Sequence, residues 1–367
     1  MTTVELRNVT VQLGWVEVLK DISLTIRSGD FVALLGPTNA GKTTLLYTIA
    51  GLIRPTKGRI YFDGEDVTDL PPQKRDVAMV FQVFALYPNL TVFENIASPL
   101  LVRKINENEV KKRVNEIAEL LGLKNLLEKK PSELSGGEAQ RVVIGRALAK
   151  GSSVILMDEP LTNLDYKLRE SLISDLKKLF GKGDRTIIYS TANPMEASSL
   201  ANTLVFIYGG RIIQTGPIRE CFHNPVNITA AKHYSIPPIN IVEGVMTSKD
   251  GKKVLEVPGL FTYDLPDQIL KTDIRECLVG IYPHSLKLTP EEGENIEVTG
   301  TLILQEIQGS DMLLTIKSAD NLITAYIPYV KPMELDTQVT LYVKPRNIYL
   351  FDKETGKLVS RLPERGR

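Results

Sequence analysis

The sequence predicts two domains of different class: an α/β domain on a mainly parallel sheet over residues 1–235, then a small all-β, barrel-like domain over 236–367. Three observations carry this. Short apolar runs alternate with helical stretches in the first part, the spacing of β–α units. Past about residue 240 the texture changes to many short strand-like runs divided by turns, with no convincing helix between them. Between the two lies Ile236-Pro-Pro-Ile239, a rigid, donor-poor stretch suited to a linker. A chain of 367 residues is also longer than one hydrophobic core usually serves, which is about 250–300 residues.

The elements follow in order. The opening MTTVELRNVTVQ alternates like a strand and lacks the charged-then-apolar layout of a secretory signal. FVALLG, VAMVFQ, SVILMD, TIIYS and TLVFIY are continuous apolar runs, as expected of parallel strands covered on both faces. Val110–Leu121 and Glu138–Ala149 have helical periodicity. In the second part NIVEGVM, KKVLEV, CLVGIY, EVTGTLILQEI, MLLTIK, LITAYI, QVTLYVK and NIYLF supply the strands.

Bulk properties exclude several function classes. The 44 basic and 44 acidic residues cancel, so a surface that binds nucleic acid or anionic lipid by overall charge is not expected. Cys221 and Cys277 lie far apart in no metal-type spacing, which points to reduced thiols. No apolar run approaches the ~18 residues of a membrane helix, so a cytosolic chain able to dock on a membrane partner is expected.

The chemistry starts at FVALLGPTNAGKTTLL. Gly36-x-x-x-x-Gly41-Lys42-Thr43 follows a strand and precedes a helix, the context a P-loop needs. Glycines let successive backbone N–H groups face phosphates, and the helix N-terminus adds its positive end. Gly36, Pro37, Thr38, Asn39, Ala40, Gly41, Lys42, Thr43 and Thr44 are therefore candidates for binding ATP. Lys42 would reach the β- and γ-phosphates and the Thr43 hydroxyl would hold Mg²⁺. SVILMDEP ends a strand in Asp158-Glu159; Asp158 suits a Mg²⁺ site and Glu159 could polarise the attacking water.

LSGGEAQR, Leu134 to Arg141, resembles the signature sequence of ATP-binding cassette (ABC) ATPases, and the other motifs fall into that family's order. Gln82 in VFQVFALYP matches the Q-loop, Asp158-Glu159 the Walker B strand and Asp165 in LTNLDYKLR the D-loop. Trp15 stands where the family places an aromatic ring for adenine. The resemblance implies an α/β P-loop nucleotide-binding domain of ABC type and, in the second domain, an OB/TOBE-type regulatory barrel. It adds Gln82 to Thr43 and Asp158 as metal candidates, and Gln82, Lys42 and Asp165 to Glu159 as catalytic ones. Because the family's cassettes pair head to tail, Ser135, Gly136, Gly137 and Gln140 are expected to meet the ATP of a second subunit.

The second domain, above all NIYLFDKETGKLV, is similar to that of carbohydrate-importer ATPases, while polyamine, iron and sulfate importers carry related barrels. The implied partners are a second ATPase subunit, two membrane permeases docked near Gln82 and an external solute-binding protein, with no nucleic acid. The chain would then sit peripherally on the cytoplasmic side of the inner membrane.

One position departs from the pattern. YSTANPMEA aligns with the family's Thr-His-Asp-x-x-Glu-Ala, which places Ala192 at the switch histidine and Asn193 at its acidic neighbour. An imidazole can donate a hydrogen bond toward developing phosphoryl charge and a methyl group cannot. The three histidines, His223, His233 and His284, all lie elsewhere. The expectation is the degenerate half of a heterodimer, with a slow homodimer as the other reading. Asn39-Ala40 and Glu138-Ala139 also differ from the common wording, without removing the groups that touch nucleotide.

Overall fold

A computed structural model describes residues 2–162, 164–181, 183, 185–249, 252–265 and 275–364. They form two compact units, Met1–Cys221 and Phe222–Arg367. The division falls ahead of the Pro-rich segment, because the short helix Ile228–His233 buries Ala231 in one cluster with Ile239, Tyr282, Tyr349 and Phe351.

The first unit opens with an antiparallel sheet. β1 (Val4–Leu13) pairs with β2 (Val16–Ile26) on one side and β4 (Lys57–Phe62) on the other, and β5 (Glu65–Asp66) closes the edge. The main sheet comprises β3 (Phe31–Leu35), β6 (Val77–Val80), β7 (Val154–Asp158), β8 (Thr186–Thr191), β9 (Thr203–Tyr208) and β10 (Arg211–Pro217). Its order is β10-β9-β3-β8-β7-β6, parallel except for the β9–β10 edge pair. All residues of β3, β7 and β8 are buried, as their unbroken apolar runs require.

Successive residues of these strands enter different cores. Ile155, Met157, Ile187 and Tyr189 pack in a cluster with helices α2 (Val92–Val102), α3 (Glu107–Leu120), α4 (Gly136–Lys150) and α5 (Tyr166–Phe180). Val154, Leu156 and Ile188 pack with the antiparallel sheet and α1 (Lys42–Ala50). The period-two alternation of a strand explains the split. The parallel pairing of β3 with β8 and of β8 with β7 brings their C-terminal ends side by side, and ligands of open parallel sheets bind at such strand ends.

The second unit contains two antiparallel sheets, one of six strands and one of four. Val279, Ile281, Val298, Leu314, Ile316 and Leu341 are among the fully buried side chains of its core. The all-β expectation for this part is met by strands running from Asn240 to Arg361. No helix among the described residues is long and apolar enough to cross a membrane.

Candidate functional site

The loop from β3 to α1 is shaped by close approach and by backbone sign. A Cβ at Gly36 would lie 2.3 Å from the Ile207 carbonyl oxygen, so a side chain there would have to push β9 aside. Gly41, the N-cap of α1, has φ +105°, and Asn39 has φ +65°. Both are left-handed, a region glycine enters freely and asparagine tolerates better than most residues. The loop thereby curls over the start of α1, where unpaired N–H groups favour an anion. Gly36 N–H also donates to the Thr191 carbonyl at 3.3 Å, tying the loop to the end of β8.

A cleft of about 540 Å³ opens here, lined by Thr38, Asn39, Gly41, Lys42, Thr43, Thr44, Gln82 and Glu159, together with Val16, Lys20 and Gly210. Lys42 is buried; its ammonium donates to the carbonyls of Gly36 at 2.8 Å and Pro37 at 3.0 Å, and pairs with Glu159 Oε1 at 2.9 Å. Glu159 Oε2 accepts a long hydrogen bond from Gln82 Nε2 at 3.4 Å and another from Thr162 Oγ1 at 3.3 Å. Ala40 is buried and its N–H is spent on the Pro37 carbonyl at 3.2 Å. Trp15 is 99% exposed at the β1–β2 turn, next to cleft-lining Val16, so packing among the described residues does not explain it.

The carboxylate of Asp158 is almost fully buried. Its Oδ1 accepts from Thr43 Oγ1 at 3.1 Å and Ser190 Oγ at 2.9 Å, while Oδ2 has no hydrogen-bond partner. Burial pushes its pKa above the usual carboxylate range, and the bonds from Ser190 and Thr43 oppose that shift. A buried carboxylate oxygen left unpaired beside a threonine hydroxyl fits a hard cation. Among the described residues no group of three or more His, Cys, Asp or Glu side chains could hold a metal ion alone. A hard cation held there would need oxygens from phosphates or water to complete its shell.

The signature residues form a separate exposed feature at the start of α4. Ser135 caps the helix in a reciprocal box: its hydroxyl accepts from Glu138 N–H at 3.4 Å, while Ser135 N–H and Oγ–H both donate to Glu138 Oε2 at 2.8 Å. Those hydrogen bonds hold the Glu138 carboxyl below its usual pKa. Ser135 and Gly136 are exposed; Gly137 is buried, and a Cβ there would meet Leu168 Cδ2 at 2.3 Å. Gln140 departs from the sequence expectation: it is fully buried with neither amide atom bonded, because the turn of α4 points it inward. It presents no surface to a second chain. Asp165 caps α5, accepting from Leu168 N–H at 3.0 Å.

Ala192 is exposed just past β8, between two anchored neighbours. Thr191 Oγ1 donates to the buried Glu196 at 2.7 Å and accepts from Asn193 N–H at 3.0 Å. Asn193 in turn caps α6 (Pro194–Leu200), accepting from Met195 N–H at 2.8 Å. Tyr189 adds a donor to Glu196 at 2.9 Å, and Arg169 pairs with it at 3.6 Å while donating to the Leu164 carbonyl at 3.1 Å, one residue ahead of Asp165. His223, His233 and His284 all belong to the second unit.

Sequence reasoning missed Ser190, Thr162, Tyr189, Arg169 and Glu196. Ser190 and Tyr189 sit inside an apolar strand, and only the parallel register, which sets Ser190 opposite Asp158, reveals the hydroxyl's partners.

Residues 19–162 match the family model described as ABC transporter. The chain is 37% identical over 375 residues to a trehalose/maltose import ATP-binding protein of Thermococcus litoralis, covering 98% of this chain and 100% of that one. It is 42% identical over 273 residues to a molybdate/tungstate import ATP-binding protein of Thermococcus kodakarensis, covering 74% of this chain and 79% of that one. Among solved structures it resembles a dimeric ATP-binding cassette in a post-hydrolysis state bound to ADP and phosphate, with TM-score 0.54 and 33% identity, covering 59% of this chain and 99% of that one.

Proposed function

The chain belongs to the ATP-binding cassette transporter ATPases of the carbohydrate-import type, and from that membership we propose that it powers solute uptake as the slower half of an unequal ATPase pair. ATP hydrolysis is the activity of the family. The substrate class proposed is a carbohydrate, supported by a match to the trehalose/maltose protein that runs through both units. The working assembly would be two ATPase subunits on two membrane permeases fed by a solute-binding protein, which puts this chain at the cytoplasmic face of the membrane.

In this reading the P-loop N–H groups and the Lys42 ammonium bind the phosphates, and Trp15 stacks on adenine. Thr43 and Asp158, with Gln82 at the rim, would hold Mg²⁺, which would supply neutralisation of phosphate charge. Glu159 orients the attacking water and accepts its proton. Exposed Ser135 and Gly136 complete the cleft of the second subunit, and Asp165 faces it from the start of α5. A groove of about 340 Å³ lined by Phe81, Tyr87, Pro99, Val102 and Arg146 lies beside the Gln82 segment and suits a short amphipathic helix of a permease.

The observation that carries the inequality is the company Ala192 keeps. Lys42, Asp158 and Glu159 are held in bonding contact and the signature is exposed, yet residue 192 offers a methyl group. A protein that had lost catalysis altogether would have no use for a signature that serves another subunit. The test is the ATPase rate of the purified chain alone and co-expressed with a second ATPase subunit carrying the histidine. Slow turnover alone and brisk turnover of the pair is expected; brisk turnover by the isolated chain would overturn the proposal.

A further inference from the structure

Ser190 is fully buried on β8, directly opposite Asp158 in the parallel register. Its hydroxyl does two things at once: it donates to Asp158 Oδ1 at 2.9 Å and accepts the Glu159 N–H at 2.9 Å. Glu159 has φ +41°, a left-handed conformation uncommon for a residue with a long side chain. Such a turn persists only when its surroundings fix it. The Ser190 hydroxyl is the side-chain group that fixes its N–H, and from that turn the Glu159 carboxylate reaches Lys42 and Gln82. On Asp158 the two bonds to Oδ1, from Ser190 and Thr43, fix the carboxylate with Oδ2 as its buried, unbonded oxygen.

We propose that Ser190 is a positioning residue that aims both acidic side chains at the end of β7, Glu159 toward the attacking water and the unbonded oxygen of Asp158 toward the cation. An apolar residue would fill the strand equally well and leave the Glu159 N–H and one side of Asp158 unbonded. A merely structural hydroxyl would show its loss in stability; a positioning one shows it in kcat and in the response to Mg²⁺.

The test uses the full chain carrying Ser190→Ala or Ser190→Thr, each made in the parent and in the Ala192→His background. Ser190→Ala should lower kcat by about ten- to a hundredfold, the scale of a small misplacement of a catalytic group, with KM for ATP within about twofold. ATP binding without Mg²⁺, followed by fluorescence of the single tryptophan, should match the parent and show that the cleft is folded. The gain in affinity on adding Mg²⁺ should shrink, and Ser190→Thr, which keeps the hydroxyl, should recover most of both effects. Turnover of Ser190→Ala within twofold of its parent, or an equal loss in Ser190→Thr, would overturn the proposal, as would weakened metal-free binding in step with kcat. Ratios are read within each background, so the Ser190 comparison is independent of whether Ala192→His raises turnover, which tests the unequal pair and the readiness of the rest of the cleft.

Discussion

If the proposed unequal pair holds, replacing Ala192 by histidine should raise this chain's own turnover. Residue 192 sits in a frame fixed on both sides: Thr191 by its bonds to Glu196 and Asn193, Asn193 by its cap on α6, and the end of β8 by the 3.3 Å bond from Gly36 N–H to the Thr191 carbonyl. The position is exposed, so an imidazole adds no overpacking. One preorganised donor aimed at developing charge contributes on the order of 10²- to 10³-fold in rate, or about 3–4 kcal/mol. Part of that depends on how residue 192 meets the second subunit, so a rise of about 10²-fold is expected for the isolated chain. Steady-state phosphate release at saturating ATP, beside nucleotide affinity measured separately, gives the comparison. Turnover within twofold of the parent, with ATP binding intact, would refute the idea that the rest of the cleft stands ready.

Three further outcomes follow from the same geometry. Gly36→Ala should abolish tight ATP binding, since its Cβ would lie 2.3 Å from the Ile207 carbonyl and force the loop away from β9; titration with a fluorescent ATP analogue reads the loss. Glu196→Ala removes a buried carboxylate from Tyr189, Thr191 and Arg169, and should lower stability by about 2–4 kcal/mol in chemical denaturation. Burial pushes the thiols of Cys221 and Cys277 up to about 11, so at pH 8 the thiolate is scarce. Mass spectrometry should find both unmodified by iodoacetamide in the native protein and both alkylated after unfolding.

Legibility followed the range of the interactions. The P-loop could be read because its requirements are local: a strand, left-handed turns and a helix start lie within one short stretch, and Asn39 and Gly41 hold the positive φ such a turn needs. The parallel strands could be read because burial on both faces forces unbroken apolar runs. Ser190 could not, since a hydroxyl within a strand gains meaning only from the neighbour across the sheet, and register is not written in a single strand. Gln140 misled for the same reason. Its place two residues past Glu138 gives no sign that the helix turns it inward, where it is fully buried.

The bonding around Ala192 also explains why a single missing side chain can be informative. The groups that shape this corner take their bonds from neighbours other than residue 192: Asp158 Oδ1 from Thr43 and Ser190, Glu159 from Lys42, Gln82 and Thr162, Thr191 from Glu196. A methyl group at 192 therefore breaks none of these bonds and costs the fold little. In the proposed reading, what it removes is a donor needed only when charge develops on the phosphate, and interactions of that kind set rate rather than affinity. Binding and turnover are thus separable at one position, and an unequal pair needs that separation: a cleft that closes on ATP without consuming it at the speed of its neighbour.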